Sequence, residues 1–251
     1  MIIFQDNGTR MAYTKIGDSG PVFIWAHGWG QSHISLLPLA RSLSGIGQHY
    51  LIDFPGFGDS PKPADDWNVE SYAGFIQIFI EKTCSEKVIW VGHSFGCRVG
   101  LRLAAKNNNI VDKLFLIAGH GVKAKRLLWK NVYLFMKVRF FKFMKLFVKG
   151  EAALDKLRAK FGSSDYKTAG AMRSIFMNVI RDDVSGILKD ITTPTYLFYG
   201  SEDLETPVEI GQRIADAISG AELTIMENMN HYTVLTDGQH QIVAAIKKVS
   251  I

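Results

Sequence analysis

Segment 88–96 contains the residue best suited to chemistry, Ser94, within a Gly-x-Ser-x-Gly motif. An apolar run precedes the motif and a helical pattern follows it, which is the context in which this motif forms a nucleophile turn. A serine at such a turn adopts a strained backbone conformation, and side chains at Gly92 or Gly96 would collide there. The pattern predicts that Ser94 is a nucleophile standing above the end of a strand.

A serine hydroxyl needs a base to take its proton and an acid to orient that base. Of the seven histidines, His231 is the candidate base because it lies between the last predicted strand and the last predicted helix. Asp203 is the candidate acid because it follows a predicted strand, and α/β sheets form their sites at the carboxyl ends of strands. Glu202 and Glu205 flank Asp203 and are the alternatives for the acid.

A second group of residues could stabilise an oxyanion. A predicted strand over 22–26 leads into a turn of sequence His-Gly-Trp-Gly at 27–30, and its glycines allow a backbone amide to point inwards. The amide N–H groups of Trp29 and Phe95 are therefore predicted to hold the substrate oxygen, an interaction worth on the order of 100-fold in rate per donor. His27 is expected to brace this turn by hydrogen bonding.

Positioning these residues requires a sheet whose strands end at one edge. Apolar runs predict strands at 22–26, 50–53, 87–91, 114–118, 196–199 and 222–226. Helical patterns cover 34–44, 68–83, 95–107, 207–218 and 239–249, and an edge hairpin is expected over 2–16. This alternation favours an α/β fold with a mostly parallel, doubly wound sheet. It stops over 121–189, which is predicted to be a helical insertion.

The composition limits the class of protein. With 251 residues, 47% hydrophobic and 21% charged, the chain matches a soluble globular enzyme of one domain with an insertion, and not a disordered, collagen-like or coiled-coil protein. Cys84 and Cys97 are too few for a disulfide framework and do not form a zinc motif. The sequence shows no secretory signal and no apolar run of about 18 residues, so a soluble cytoplasmic protein is expected.

The charge is unevenly distributed. Residues 121–160 contain 12 Lys and Arg against Glu151 and Asp155, whereas the rest has 17 basic and 22 acidic residues. Within it, 124–149 is predicted to form a basic amphipathic helix, or two joined helices, in which Arg126, Lys130 and Lys142 lie on one arc. Three interpretations stay open: a solvated outer face, docking of an acidic partner protein, and contact with an anionic membrane surface. Nucleic acid is disfavoured because there is no recognition fold.

Together these motifs resemble the α/β-hydrolase superfamily. The order Ser94, Asp203, His231, the turn at 27–30 and the Asp-Phe-Pro-Gly-Phe-Gly loop at 53–58 match the family's order and spacing. The resemblance implies an α/β-hydrolase core over 1–120 and 190–251, with a helical cap over 121–189. Within the superfamily, these motifs resemble carboxylesterases such as the pimeloyl-acyl-carrier-protein methyl ester esterases of biotin synthesis. That group uses a basic lid to grip the acidic carrier protein.

The expected function is hydrolysis of carboxylic esters by a Ser-His-Asp triad through an acyl-enzyme. No metal or organic cofactor is required, and the substrate is a small-molecule or acyl-chain ester, with an acidic acyl carrier protein as a candidate partner docking at Arg126, Lys130 and Lys142. Alternatives are a membrane-associated lipase, a C–C bond hydrolase and a non-catalytic ligand-binding protein on the same fold. Cys97 departs from the family, whose members often have glycine there.

Overall fold

One eight-stranded sheet organises the computed structural model, which describes residues 1–106, 109–122 and 168–250 together with residues 139, 143 and 144. The strands are β1 (Ile2–Asp6), β2 (Thr9–Ile16), β3 (Val22–Ala26), β4 (Gln48–Ile52), β5 (Val88–His93), β6 (Val111–Ile117), β7 (Thr195–Gly200) and β8 (Glu222–Met226). Their order is β1-β2-β4-β3-β5-β6-β7-β8. The hairpin β1–β2 and the β2–β4 pair are antiparallel, and every other pair is parallel. The predicted mostly parallel sheet is thereby confirmed.

Helices cover both faces of this sheet. They are α1 (Leu37–Arg41), α2 (Val69–Thr83), α3 (Phe95–Lys106), α4 (Arg173–Arg181), α5 (Val208–Ala217), α6 (Thr233–Thr236) and α7 (Gln239–Ser250), with single 3-10 turns at 33–35, 170–172 and 188–190. None of the helices in this part of the chain combines the length and the apolar content needed to cross a bilayer.

Strand β3 shows why the sheet is covered twice. Its five residues are all buried, and successive side chains point to opposite faces. Ile24 belongs to the core cluster shared with Phe79 of α2. Trp25 belongs to a separate cluster on the other face with Leu39 of α1 and Ile242 of α7. A strand with two buried faces has to be apolar throughout, which explains its continuous apolar run.

The first helical segment differs from the prediction of one helix over 34–44. The chain forms a 3-10 turn at 33–35, then the five-residue α1, and then turns held by hydrogen bonds such as Ile46 N–H to the Leu43 carbonyl. Pro38 lies in the first turn of α1, where a missing N–H costs nothing, and the glycines at 45 and 47 do not extend a helix.

The two ends of the segment 121–189 meet on a buried arginine. The Arg98 guanidinium donates to the Val179 carbonyl at 2.6 Å and the Asp182 carbonyl at 3.1 Å, and lies 2.7 Å from Nδ1 of His120. One side chain therefore contacts both residue 120, just before the predicted insertion, and the end of α4 within it. Of the predicted insertion, 121–122, 168–189 and positions 139, 143 and 144 are described. The division of the chain into a core and a cap therefore stays a prediction.

The turn between β5 and α3 brings two backbones unusually close. A Cβ atom built on Gly96 would overlap the carbonyl oxygen of Ala26, the last residue of β3. A Cβ on Gly92 would lie 2.7 Å from the carbonyl carbon of Gly96. The indole N–H of Trp90 donates to the Gly96 carbonyl at 3.0 Å from below. Glycine at both positions lets α3 start against the carboxyl end of β3.

Gly96→Ala is expected to lower the free energy of unfolding by about 1–3 kcal/mol, because the new methyl group must displace the β3 backbone. Gly74→Ala is the matched control, since Gly74 is inside α2 with open space around its Cβ position. That control should stabilise the protein by about 0.5–1 kcal/mol. Urea unfolding followed by circular dichroism compares the two variants, and equal effects would contradict the close-approach argument.

Candidate active site

Ser94 occupies the turn between β5 and α3 with a positive φ of 49°. Residues other than glycine rarely adopt this conformation, and such strain concentrates at functional sites. The turn is held on both sides, because the Ser94 N–H donates to the Ile117 carbonyl at 3.0 Å and the Cys97 N–H donates to the Ser94 carbonyl at 3.1 Å. The serine is half-buried at the carboxyl edge of the sheet, as the motif predicts.

The predicted acid and base lie in direct contact. Asp203 follows β7 and His231 follows β8, and Nδ1 of His231 is 2.7 Å from Oδ2 of Asp203. Both residues are buried, with exposures of 5% for His231 and 3% for Asp203. The other carboxylate oxygen accepts the backbone N–H groups of Glu205 and Thr206, each at 2.8 Å. The carboxylate is therefore fixed in orientation and can hold the imidazole in one tautomer.

Thr206 is a residue that the sequence argument missed. Its Oγ1 lies 2.7 Å from Oδ2 of Asp203, 3.1 Å from Nδ1 of His231 and 3.1 Å from the Ala118 carbonyl. Burial raises the pKa of the Asp203 carboxyl, but the hydrogen bonds from His231 and Thr206 outweigh it and keep this pKa below its usual value. Asp203 accepts backbone N–H groups two and three residues on, which is typical of an aspartate in a turn, but no sequence signal indicated the role of the threonine hydroxyl.

The two alternative acids lie elsewhere. Glu202 is exposed, and its backbone N–H donates to the Met229 carbonyl at 2.9 Å. The Glu205 side chain is half exposed, and its Oε2 lies 3.7 Å from Nε2 of His231. Glu205 therefore faces the ring nitrogen opposite to the one that Asp203 contacts, and of the three candidate acids it is Asp203 that lies against Nδ1 of His231.

The predicted oxyanion turn is braced from several directions. Gln31 closes it, with its N–H donating to the Gly28 carbonyl at 3.2 Å and its Oε1 accepting the Gly28 N–H at 3.0 Å. The buried His27 accepts the Phe54 N–H on Nε2 at 3.1 Å, so its Nδ1 carries the proton and donates to the Gly28 carbonyl at 2.7 Å. Burial lowers the pKa of His27 to about 4, so this ring is neutral, and its two hydrogen bonds hold the turn against the Phe54 backbone.

The two residues predicted to supply oxyanion amides are neighbours. The rings of Trp29 and Phe95 meet edge to face, with centroids 5.7 Å apart. The Trp29 ring also packs against Phe57 and against Phe176 of α4, with ring centroids 4.8 Å and 5.0 Å apart. An aromatic cluster from the core and the returning end of the insertion therefore packs over the oxyanion turn.

The loop after β4 forms a polar clamp. The buried Asp53 accepts the backbone N–H of His33 at 2.6 Å and that of Asp59 at 3.0 Å, and Nδ1 of His33 lies 3.0 Å from both of its carboxylate oxygens. His33, Asp53 and Asp59 are the one group with metal-ligand spacing in the described ranges. Since the Asp53 oxygens already accept these bonds, the group joins two loops. The predicted docking residues Arg126, Lys130 and Lys142 lie outside the described residues.

Comparison with known proteins agrees with this architecture. A model of the alpha/beta hydrolase family matches residues 22–245. An uncharacterized protein of Mycobacterium tuberculosis is 31% identical over 119 residues, which cover 46% of this chain and only 34% of that protein. A pimeloyl-[acyl-carrier protein] methyl ester esterase of Methylococcus capsulatus is 24% identical over 243 residues, covering 90% of this chain and 94% of the esterase. The crystal structure of a bacterial membrane phospholipase A gives a TM-score of 0.78 at 23% identity, over 99% of this chain and 86% of that one, which establishes the shared fold.

Thr206→Val is expected to lower kcat for a small ester about 10-fold, because the isosteric valine removes the hydroxyl that holds the Asp203 carboxylate. Thr206→Ser keeps the hydroxyl and should retain most of the activity. Initial rates on p-nitrophenyl acetate, corrected for the folded fraction, provide the measurement. A valine variant with the kcat of the wild type would show that Asp203 needs no support from Thr206.

Proposed function

The chain belongs to the alpha/beta hydrolase family, and from that premise we propose that it is a serine esterase acting on carboxylic esters through Ser94, His231 and Asp203. The observation that supports this most is the buried 2.7 Å contact between Nδ1 of His231 and Oδ2 of Asp203, with the strained Ser94 turn at the same sheet edge. With the Asp203 carboxylate on Nδ1, Nε2 of His231 is the nitrogen that would exchange a proton with the serine.

The proposed reaction has two halves. Oγ of Ser94 attacks the ester carbonyl carbon while Nε2 of His231 takes the hydroxyl proton, and the carbonyl oxygen becomes an oxyanion held by the amides of Trp29 and Phe95. The C–O bond to the alcohol then breaks, and His231 returns its proton to the leaving alcohol. Water next attacks the acyl-enzyme with His231 again acting as base, which releases the carboxylic acid and restores Ser94.

The proposed roles fit the sheet topology. Ser94 follows β5, Asp203 follows β7 and His231 follows β8, so all three stand at the carboxyl edge of parallel strands. Trp29 follows β3, which pairs directly with β5, so the oxyanion turn and the nucleophile belong to adjacent strands. The charge that develops on the substrate oxygen therefore forms beside two backbone donors.

For the substrate, we propose an ester linked to an acidic acyl carrier protein. The Methylococcus relative, which matches nearly its full length, carries the name of such an esterase. The segment 121–160 supplies ten net positive charges, which suit an acidic partner. Arg126, Lys130 and Lys142 are the proposed docking residues on this segment.

Ser94→Ala is expected to reduce turnover of p-nitrophenyl esters by about 10,000-fold or more, because nothing replaces the nucleophile. A chain-length series from acetyl to dodecanoyl, measured on both proteins, would also size the acyl site. Ser44→Ala, a change at an exposed serine, is the control and should match the wild type. Turnover that survives in Ser94→Ala would assign the nucleophile to another residue.

Reversing the charges with Arg126→Glu, Lys130→Glu and Lys142→Glu together should lower kcat/KM on a carrier-protein-linked methyl ester about 10-fold or more, with small-ester hydrolysis unchanged. Added salt should likewise lower kcat/KM of the wild type on the carrier-protein-linked ester. The control reverses Lys247 and Lys248, two exposed lysines of α7. Equal losses on carrier-linked and small esters would contradict docking at this segment.

A further inference from the structure

His93, the residue before Ser94, connects two parts of the proposed site. Its side chain is fully buried. Nδ1 lies 3.2 Å from Oε1 of Gln31, the residue that closes the oxyanion turn. Nε2 lies 3.0 Å from the backbone carbonyl oxygen of His231. The ring therefore stands between the oxyanion turn and the loop that bears the proposed base.

The packing around this ring is tight on both sides. A Cβ atom added to Gly28 would lie 2.9 Å from Nδ1 of His93, so the imidazole rests directly on the peptide before Trp29. On the other side, the ring centroids of His93 and His231 are 4.9 Å apart. A displacement of His93 would therefore move both the predicted oxyanion donor Trp29 and the His231 ring.

The partners of His93 differ from those of two other buried histidines. His27 has one donor and one acceptor beside its ring nitrogens, as described above. His49 likewise accepts the indole N–H of Trp25 at 3.1 Å, and its Nε2 lies 2.9 Å from the Leu43 carbonyl. A neutral imidazole, with one N–H and one lone pair, satisfies each of these sites fully.

His93 instead has an oxygen beside each ring nitrogen. Burial lowers the pKa of His93 to about 3, and the nearby His231 adds to this effect, so the ring is neutral and has a single N–H. Turning the Gln31 amide would offer Nδ1 a donor, but the Gly28 N–H would then lose the oxygen that it donates to. One of the two oxygens beside the His93 ring therefore receives no hydrogen from it. Leaving a buried polar contact unsatisfied costs free energy, so such an arrangement persists only where the surrounding structure holds it in place.

We propose that His93 is a positioning residue that holds the oxyanion turn and the His231 loop in register across the Ser94 turn. This proposal rests on the proposed function, since it concerns the same site. The two loops follow β3 and β8, which β5, β6 and β7 separate in the sheet, so their relative placement depends on contacts above the sheet edge. A shift of about 1 Å between reacting groups can cost on the order of 100-fold in rate.

Three substitutions separate the two halves of the bridge. His93→Leu removes both polar contacts. His93→Asn places an amide group near the position of Nδ1 and can restore the contact with Gln31. His93→Gln reaches towards the position of Nε2 and can restore a donor to the His231 carbonyl. His49→Leu is the matched control. It removes a buried histidine of the same sheet that makes two hydrogen bonds and is distant in sequence from Ser94.

The measurements are kcat and KM on p-nitrophenyl butyrate, with active sites counted by fluorophosphonate labelling of Ser94. We expect His93→Leu to lower kcat per labelled site about 10- to 100-fold with KM changed less than threefold. His93→Asn and His93→Gln should each recover part of this loss. His49→Leu should lower the unfolding midpoint but leave kcat per labelled site within twofold of the wild type.

A double-mutant cycle with Gln31→Leu tests whether the two residues act through one connection. If they do, the loss of kcat in the double variant should be smaller than the product of the two single losses, even though Gln31→Leu also removes the acceptor of the Gly28 N–H, whereas fully independent effects would multiply. Equal kcat per labelled site in His93→Leu and wild type would overturn the positioning role and leave the esterase proposal intact. A wild type that neither labels nor hydrolyses esters would instead overturn the proposed function, and the role of His93 with it.

Discussion

The close approach of α3 to the end of β3 is the constraint on which the site depends. Gly96 rests on the Ala26 carbonyl, and two residues earlier Ser94 adopts the positive φ that turns the chain from strand to helix. Because β3 also leads into the proposed oxyanion turn at 27–30, this one contact sets the distance between the serine and that turn. The aromatic cluster around Trp29 and the bridge through His93 are both built on that spacing.

Buried polar groups make the site rigid. The Asp203 carboxylate loses its hydration on burial, and four donors from His231, Glu205 and Thr206 replace the lost water. A carboxylate held in this way cannot rotate freely, since each rotation would leave a buried group unsatisfied. The fixed carboxylate therefore constrains the orientation of the His231 imidazole from one side of the ring.

Local sequence patterns predicted the strands and the candidate site residues, but not the residues that hold those side chains in place. The bounds of β3 and β8 agree with the predicted ones, and the family resemblance is confirmed, because buried strands and the Gly-x-Ser-x-Gly turn have short-range signals. The helix predicted over 34–44 was wrong in extent. Thr206 and Gln31 were missed because only the fold shows which polar groups they meet: each bonds a residue three positions away and also contacts a histidine 25 or 62 positions away.

Arg98 joins two points of the chain that are about 60 residues apart in sequence. A single guanidinium contacts both His120 and the carbonyls at the end of α4, so positions 120 and 179–182 lie close together in the fold. Closing a loop at a fixed point costs free energy that grows only slowly with loop length. The two contacts of Arg98 therefore place little limit on the length of chain between them, and a change of length there would cost the eight-stranded sheet little free energy.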